Sequence, residues 1–456
     1  MVHHPSQRTV PPVSGRHDSR RNLPALLTSA LVVSALMAPS LLGAQARRPV
    51  TDEAAVLAAA KSIHAKVLSI DTHVDIAPAN FAESGPNYTQ KLPRTQVDLV
   101  KMEEGGLVGA FLIVYVGQDT ALNAAGFARA NAQAIEKFDA IHRLTEKLAP
   151  ARAEIAYTAA DARRIHKSGK RVIFIGIENG FPIGSNITNV QKFYERGGRY
   201  MSLAHNGHSQ LSDSNTGERD GVWLHNGLSP LGKQVIAEMN RLGMMIDVSH
   251  PSKQSMLQTV ALSKAPIIGS HSGVRALCGH SRNMDDEQLD ALKKNGGVIQ
   301  LVAFNSYVKC NPARDAERAA AIDALRREYG ITATGRADVQ RAIEALPNDR
   351  RNEFLAKQED ITARRYPSDP AANVQDFVNH IDYVVKRIGI DHVGISSDFD
   401  GGGGVDGWRS ASESLNVTAE LVRRGYTEAE IAKIWGGNLL RVMEQVEKVA
   451  ASSSRR

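Results

Sequence analysis

Cysteine is almost absent from this chain. Cys278 and Cys310 are the only two in 456 residues. That is too few for a thiolate metal site, and in an exported protein a pair points to a disulfide instead. No apolar run long enough to cross a membrane follows residue 46. No G-x-G-x-x-G opens a first helix, so the usual mark of a dinucleotide-binding sheet is missing. Neither sign of charge dominates. The formal net charge is +6, and Arg8, Arg16, Arg20 and Arg21 against Asp18 supply half of it before residue 47. The remainder is too mild and too scattered to indicate nucleic acid. There is no long low-complexity block. A 42% hydrophobic composition suits one large domain or two smaller ones with a sizeable core.

The first 46 residues read as a targeting segment. Arg20 and Arg21 precede an apolar run over residues 23–42, and Ala44-Gln45-Ala46 forms an A-x-A cleavage site. Pro24 and Pro39 make this a poor permanent span, so cleavage after Ala46 is expected over an uncleaved anchor. Ser19-Arg20-Arg21-Asn22-Leu23 resembles a twin-arginine signal, and the general secretory route is the alternative. No cysteine near the cleavage site supports a lipid anchor. The mature chain is therefore expected to begin at residue 47, in the periplasm or outside the cell, without a stable membrane anchor.

Beyond an amphipathic opening helix (residues 51–66), apolar runs alternate with helical patterns. A first run (67–70) leads into a strand ending at Asp71, followed by Thr72-His73-Val74-Asp75. Further strands are predicted at 106–116, 171–177, 200–204, 244–248, 266–270, 297–304 and 392–396. Helices are predicted at 120–148, 231–242, 252–263 and 285–294, with a closing helix at 431–449. Continuous apolar strands alternating with helices imply a parallel sheet covered on both faces. About eight such units predict an α/β fold, a (β/α)8 TIM-like barrel spanning residues 47–456. An open doubly wound sheet is the runner-up. Residues 311–370 break the alternation: they are charged and helical in pattern, and read as an insertion after strand seven.

His73, Asp75, Glu178, His205, His250, His271 and Asp398 each stand at the end of a predicted strand. Singly, each has a bland reading as a surface group, a satisfied core residue or a helix cap. In a barrel, however, all strand carboxyl ends open onto one face, where active sites are built. Imidazole and carboxylate are the usual ligands of catalytic zinc. The set exceeds what one ion needs. Glu178 could bridge two ions, which by sharing a hydroxide would generate a nucleophile at neutral pH. Asp398 is then free to carry a proton.

These stretches resemble the membrane (renal-type) dipeptidase family, within the metal-dependent amidohydrolase barrels. The resemblance rests on Asp71-Thr72-His73-Val74-Asp75, Gly176-Ile177-Glu178, Tyr200-Met201-Ser202-Leu203-Ala204-His205-Asn206 and Gly243-Met244-Met245-Ile246-Asp247-Val248-Ser249-His250. It continues through Ser270-His271-Ser272, Arg282-Asn283, Ser397-Asp398-Phe399-Asp400-Gly401 and Gly437-Asn438-Leu439-Leu440-Arg441-Val442. It implies two zinc ions per chain, with His73 and Asp75 on one, His250 and His271 on the other, and Glu178 bridging. His205 would meet the substrate carbonyl and the developing oxyanion. Arg282 would bind the substrate carboxylate as a guanidinium fork, with Tyr307 beside it. A disulfide between Cys278 and Cys310 is implied, as are dipeptide substrates that tolerate a D-residue in second place, and a homodimer. Thr72, Val74 and Asn179 depart from the family pattern, and the insertion is longer than the family leads one to expect. Two alternatives stand beside a zinc dipeptidase: a zinc amidohydrolase acting on N-acyl amino acids or another small amide, and a non-catalytic metal-binding protein.

Overall fold

The computed structural model describes residues 47, 49–118, 122–333, 336–366 and 371–453. The signal segment expected at 1–46 lies outside the described residues. Among the described residues, nine strands form one wholly parallel sheet: β1 (Ile70–Asp75), β2 (Gly109–Tyr115), β3 (Ala153–Ile155), β4 (Arg171–Glu178), β5 (Gly198–Ser202), β6 (Met245–Asp247), β7 (Ile268–Ser272), β8 (Val298–Val302) and β9 (Val393–Ser396). Eight of them run in the order β1-β2-β4-β5-β6-β7-β8-β9. The ring is joined by backbone bonds from Asp75 N–H to the Phe399 carbonyl (2.9 Å) and from Asp398 N–H to the His73 carbonyl (3.1 Å). This is the expected (β/α)8 TIM-like barrel. The ninth strand, β3, pairs with the first half of β4 and lies off the ring. Three residues, Ala-Glu-Ile, carry too little pattern to announce it.

Strand alternation sorts side chains into two layers. On β4, Ile173, Ile175 and Ile177 belong to the large outer core beneath the helices, whereas Val172 and Phe174 belong to an inner cluster. The next inner positions on that face are Gly176 and Glu178. Inner residues are thus apolar low in the barrel, where Phe111 and Phe174 stack 4.5 Å apart, and polar toward the carboxyl ends. The final helix, Asn438–Ser453, adds Leu439, Leu440, Val442, Met443 and Val446 to the inner cluster. Its predicted start at residue 431 is corrected: the shorter helix Glu428–Ala432 and a π turn, Lys433–Gly437, precede it.

One boundary matters for the site. The first strand does not stop at Asp71 but continues to Asp75. A register shift falls between Asp71 and Val74. Ile70 therefore joins the inner cluster while Val74, four residues on, joins the outer core. Such a shift exchanges the faces of a strand, and it turns His73 and Asp75 inward. Thr72 fastens the extension into the sheet. Thr72 Oγ1 donates to the carbonyl of Ser270 (2.7 Å) and lies 3.1 Å from that of Ile395.

The insertion between β8 and β9 contains helices Pro312–Glu328, Arg336–Glu344 and Asn348–Glu359 and a π turn, Asp360–Arg365. It packs on its own small core of Leu325, Tyr329, Ile331, Val339, Ile343, Phe354 and Ile361. No helix among the described residues is long and apolar enough to cross a membrane.

Candidate metal centre and active site

All seven strand-end residues meet at the carboxyl face of the barrel. Glu178 stands at the centre. Its Oε2 lies 3.5 Å from His73 Nε2, while its Oε1 lies 2.9 Å from His250 Nε2, 3.3 Å from His271 Nε2 and 3.8 Å from His205 Nε2. His73 Nε2 is 3.8 Å from Asp75 Oδ2 and 3.9 Å from Asp398 Oδ1. His250 Nε2 and His271 Nε2 are 3.0 Å apart.

The outer ring nitrogens fix which lone pairs face inward. His73 Nδ1 donates to the Tyr200 hydroxyl (2.9 Å), which itself donates to the Thr72 carbonyl (3.0 Å). His271 Nδ1 donates to Ser270 Oγ (2.8 Å), which donates to Asp247 Oδ2 (2.7 Å). Both Nε2 atoms therefore present lone pairs to the centre, as ligands require. Gly176 makes room for the Tyr200 ring, which a Cβ there would overlap. Gly401 does the same for the carboxylates of Asp75 and Asp398.

The donor set fits a cation on two observations. First, His73 Nε2 and Glu178 Oε1 are buried without a hydrogen-bond partner of acceptable geometry, and an unsatisfied buried polar atom costs about 1–3 kcal/mol. Second, the groups form overlapping clusters of ligand type: His73, Glu178 and His271; Glu178, His205 and His250; His73, Asp75 and Asp398. The electrostatics agree. Burial pushes His250 and His271 well below the usual imidazole range, so both are neutral. Burial opposes a charge on His73, but Glu178, Asp398 and Asp75 outweigh it and carry His73 up to about 9. A field that holds a proton there would equally hold a metal cation. Burial, reinforced by the Asp75 and Glu178 carboxylates, pushes Asp398 up to about 8.

Arg282 is buried beside these groups. It donates through Nη1 to the Ser249 carbonyl and through Nη2 to the His271 carbonyl (3.0 Å). Its guanidinium lies 5.5 Å from the Tyr307 ring centre. Cys278 and Cys310 are bonded, with Cα atoms 5.3 Å apart. A pocket of about 580 Å³ opens over the centre, lined by Asp75, Glu178, His205, His250, His271, Arg282, Tyr307 and Asp398 among others. That is ample for a small ligand.

Sequence reasoning missed Tyr115, Lys137 and Arg94, which also line this pocket. Tyr115 could have been found, because it ends β2 as the ligands end theirs, and its hydroxyl lies 3.4 Å from His205 Nδ1. Lys137 sits mid-helix and Arg94 in a loop, where nothing in the pattern marks them. The departure at Asn179 has a physical reason. It adopts φ +74°, a left-handed conformation that suits glycine, and Asn tolerates it. Asp398 and Asp400 share that region, at φ +58° and +62°. Backbone strain of this kind gathers at functional sites.

The model of the membrane dipeptidase family (peptidase family M19) matches residues 57–456. Dipeptidase tcpJ of Claviceps purpurea is 32% identical over 361 residues, 78% of this chain and 70% of that protein. Dipeptidase aclJ of Aspergillus oryzae is 30% identical over 378 residues, 82% and 74% of the two chains. Among solved structures, the probable dipeptidase PvdM of Pseudomonas aeruginosa superimposes with a TM-score of 0.73 at 35% identity, covering 87% of this chain and 100% of that one. A metallo peptidase from Rhodobacter sphaeroides shares the fold at 21% identity, with a TM-score of 0.62 over 83% and 99% of the chains. The chain thus belongs to the membrane dipeptidase family, peptidase family M19, whose members are metal-dependent hydrolases of peptide bonds.

Proposed function

We propose that this protein is an exported dipeptidase that works with two zinc ions per chain and accepts dipeptides whose second residue is L or D. The observation that carries the reading is the posture of Glu178, which turns one oxygen to His73 and the other to His250 and His271. His73 and Asp75 would hold one ion, His250 and His271 the other, with Glu178 shared between them. When bound, the ions would polarise the peptide carbonyl and acidify a water.

The chain's own groups do the rest. Arg282 takes the substrate's terminal carboxylate, with Tyr307 against it. Because two backbone carbonyls already hold the guanidinium, little freedom is lost on binding. His205 faces the carbonyl oxygen and stabilises the charge that grows there. Asp398, whose carboxylate form bound cations would favour, accepts a proton from the attacking water and returns it to the departing amine. This proton carrier, beside a full ligand set, favours an enzyme over a protein that only binds metal. Export is supported by the sequence of residues 1–46 and by the Cys278–Cys310 bond, which suits an oxidising compartment.

The test is hydrolysis of L-L, L-D and N-acylated substrates by zinc-loaded protein, with metal content measured on the same sample. Cleavage of L-L and L-D dipeptides by protein holding two ions per chain is expected. Turnover of acylated amino acids alone would replace this reading with the amidohydrolase one.

A further inference from the structure

Among the described residues, three cationic side chains line the pocket, and the chemistry above uses one of them. Arg282 comes from the loop after β7. In the ring β1-β2-β4-β5-β6-β7-β8-β9, the strand facing β7 across the barrel is β2. Lys137 belongs to that opposite wall. It lies on the helix Ala124–Arg143, which follows β2, and its Nζ is 5.6 Å from the ring centre of Tyr115 at the β2 end. Arg94 lines the same pocket from the connection between β1 and β2.

Lys137 is half-buried and makes no hydrogen bond or ion pair among the described residues. A lysine in open water needs no partner, but one turned into a pocket leaves its charge for whatever enters. The carboxylates acting on it are Asp75 and Glu178, both placed above in the ligand set, and Glu136 on its own helix. Charge that Asp75 and Glu178 give to metal ions is not available to Lys137.

A substrate anchored through its terminal carboxylate at Arg282 must cross the ligand cluster and end against Tyr115 and Lys137. The residue on the amino side of the cleaved bond therefore meets a cation. We infer that Lys137 forms a subsite for a carboxylate carried on that residue. The preferred substrates bear an anionic group at each end of the pocket. Two sources supply the amino-side group: an acidic side chain on the first residue of a dipeptide, or a dicarboxylic acyl group in its place. The inference rests on the dipeptidase reading and narrows it.

The experiment uses zinc-loaded protein with Glu-Ala, Gln-Ala, Ala-Ala and succinyl-Ala, for the wild type, Lys137→Met and Lys137→Arg. Calorimetric binding of free L-glutamate and L-glutamine to the same samples is measured alongside. A charged contact of this kind predicts that kcat/KM for Glu-Ala exceeds that for Gln-Ala by about 10- to 100-fold, mainly through KM. Lys137→Met should abolish the preference and Lys137→Arg should keep most of it. Glutamate binding should weaken in Lys137→Met by a similar factor. Succinyl-Ala turned over faster than Glu-Ala would assign the charge to an acyl group. Hydrolysis of Ala-Ala with no preference for Glu-Ala, or a preference that survives in Lys137→Met, overturns the subsite and leaves the dipeptidase reading standing. No turnover of any dipeptide overturns that reading, and the subsite with it.

Discussion

At the scale of single residues, the roles proposed for Glu178 and Asp398 differ, and each can be measured. A carboxylate can share two cations because each oxygen carries part of its charge, whereas an amide offers one neutral oxygen. Glu178→Gln should therefore lower metal content well below the wild-type level, as read by elemental analysis after gel filtration. Retention of two ions per chain would remove the bridging role. Asp398→Asn should cut turnover by roughly two to four orders of magnitude, the usual share of general acid–base catalysis. Its KM should move far less, so steady-state kinetics separate the two effects. The seven residues of the centre were legible in sequence because each ends a strand, and the barrel brings those ends together. Their supports were not. Ser270 and Tyr200 are ordinary strand residues until the inner face of the barrel places one against His271 and the other against His73. Asp247 lies one strand further from view, acting only through Ser270.

At the scale of elements, the loops after β7 and β8 are fastened to each other three times. The Cys278–Cys310 bond is one tie. Asn283 Nδ2 is the second, donating to the carbonyls of Cys278 and Tyr307, both at 2.8 Å. His380 is the third: its Nδ1 accepts from Val274 N–H (3.0 Å) and its Nε2 donates to the Val308 carbonyl (2.9 Å). Because these loops carry Arg282 and Tyr307, Cys278→Ser with Cys310→Ser should raise KM more than it lowers kcat, with metal content intact. Loss of metal in that variant would show that the bond supports the ligands instead. His380 brings a pH dependence of known sign. Burial holds it down to about 4, against an ordinary 6.5. Between those values the unfolded chain binds the proton and the folded one does not. Its contribution is full above pH 6.5 and falls as pH drops toward 4, by up to about 3 kcal/mol. Denaturant midpoints at pH 7 and pH 5 should differ more for the wild type than for His380→Gln. Nothing in the pattern of residues marks this tie, since His380 lies inside an amphipathic helix, Val374–Ile388, among core residues. Element ends were misread for a related reason. Strand β1 was cut short at Asp71 because its inner face turns polar there, and hydropathy cannot distinguish a polar barrel lining from a loop.

At the scale of the whole molecule, the alternation of apolar strand and helix was enough to predict the barrel, and the break in alternation located the insertion. The insertion's separate core explains why it disturbed nothing else in the pattern. The ring itself has one seam, where β1 meets β9. Asp71 accepts from Ser397 N–H across it at 2.9 Å, joining residues 326 positions apart. Two of the proposed ligands, His73 and Asp75, stand on the β1 side of this seam, so bound ions would tie β1 to the strands that carry Glu178, His250 and His271. Chelation should lower the melting temperature in proportion to metal affinity. An unchanged melting temperature would mean that the barrel is held equally well without metal. The same seam governs when activity can begin. Closing so distant a contact is slow in folding, because the chain entropy of the loop must be lost before the contact is gained. His73 and Asp75 leave the ribosome early and Asp398 near the end. No amino-terminal fragment, however long it waits, can assemble the centre. A chain interrupted anywhere before β9 is a peptide without the means to cut one.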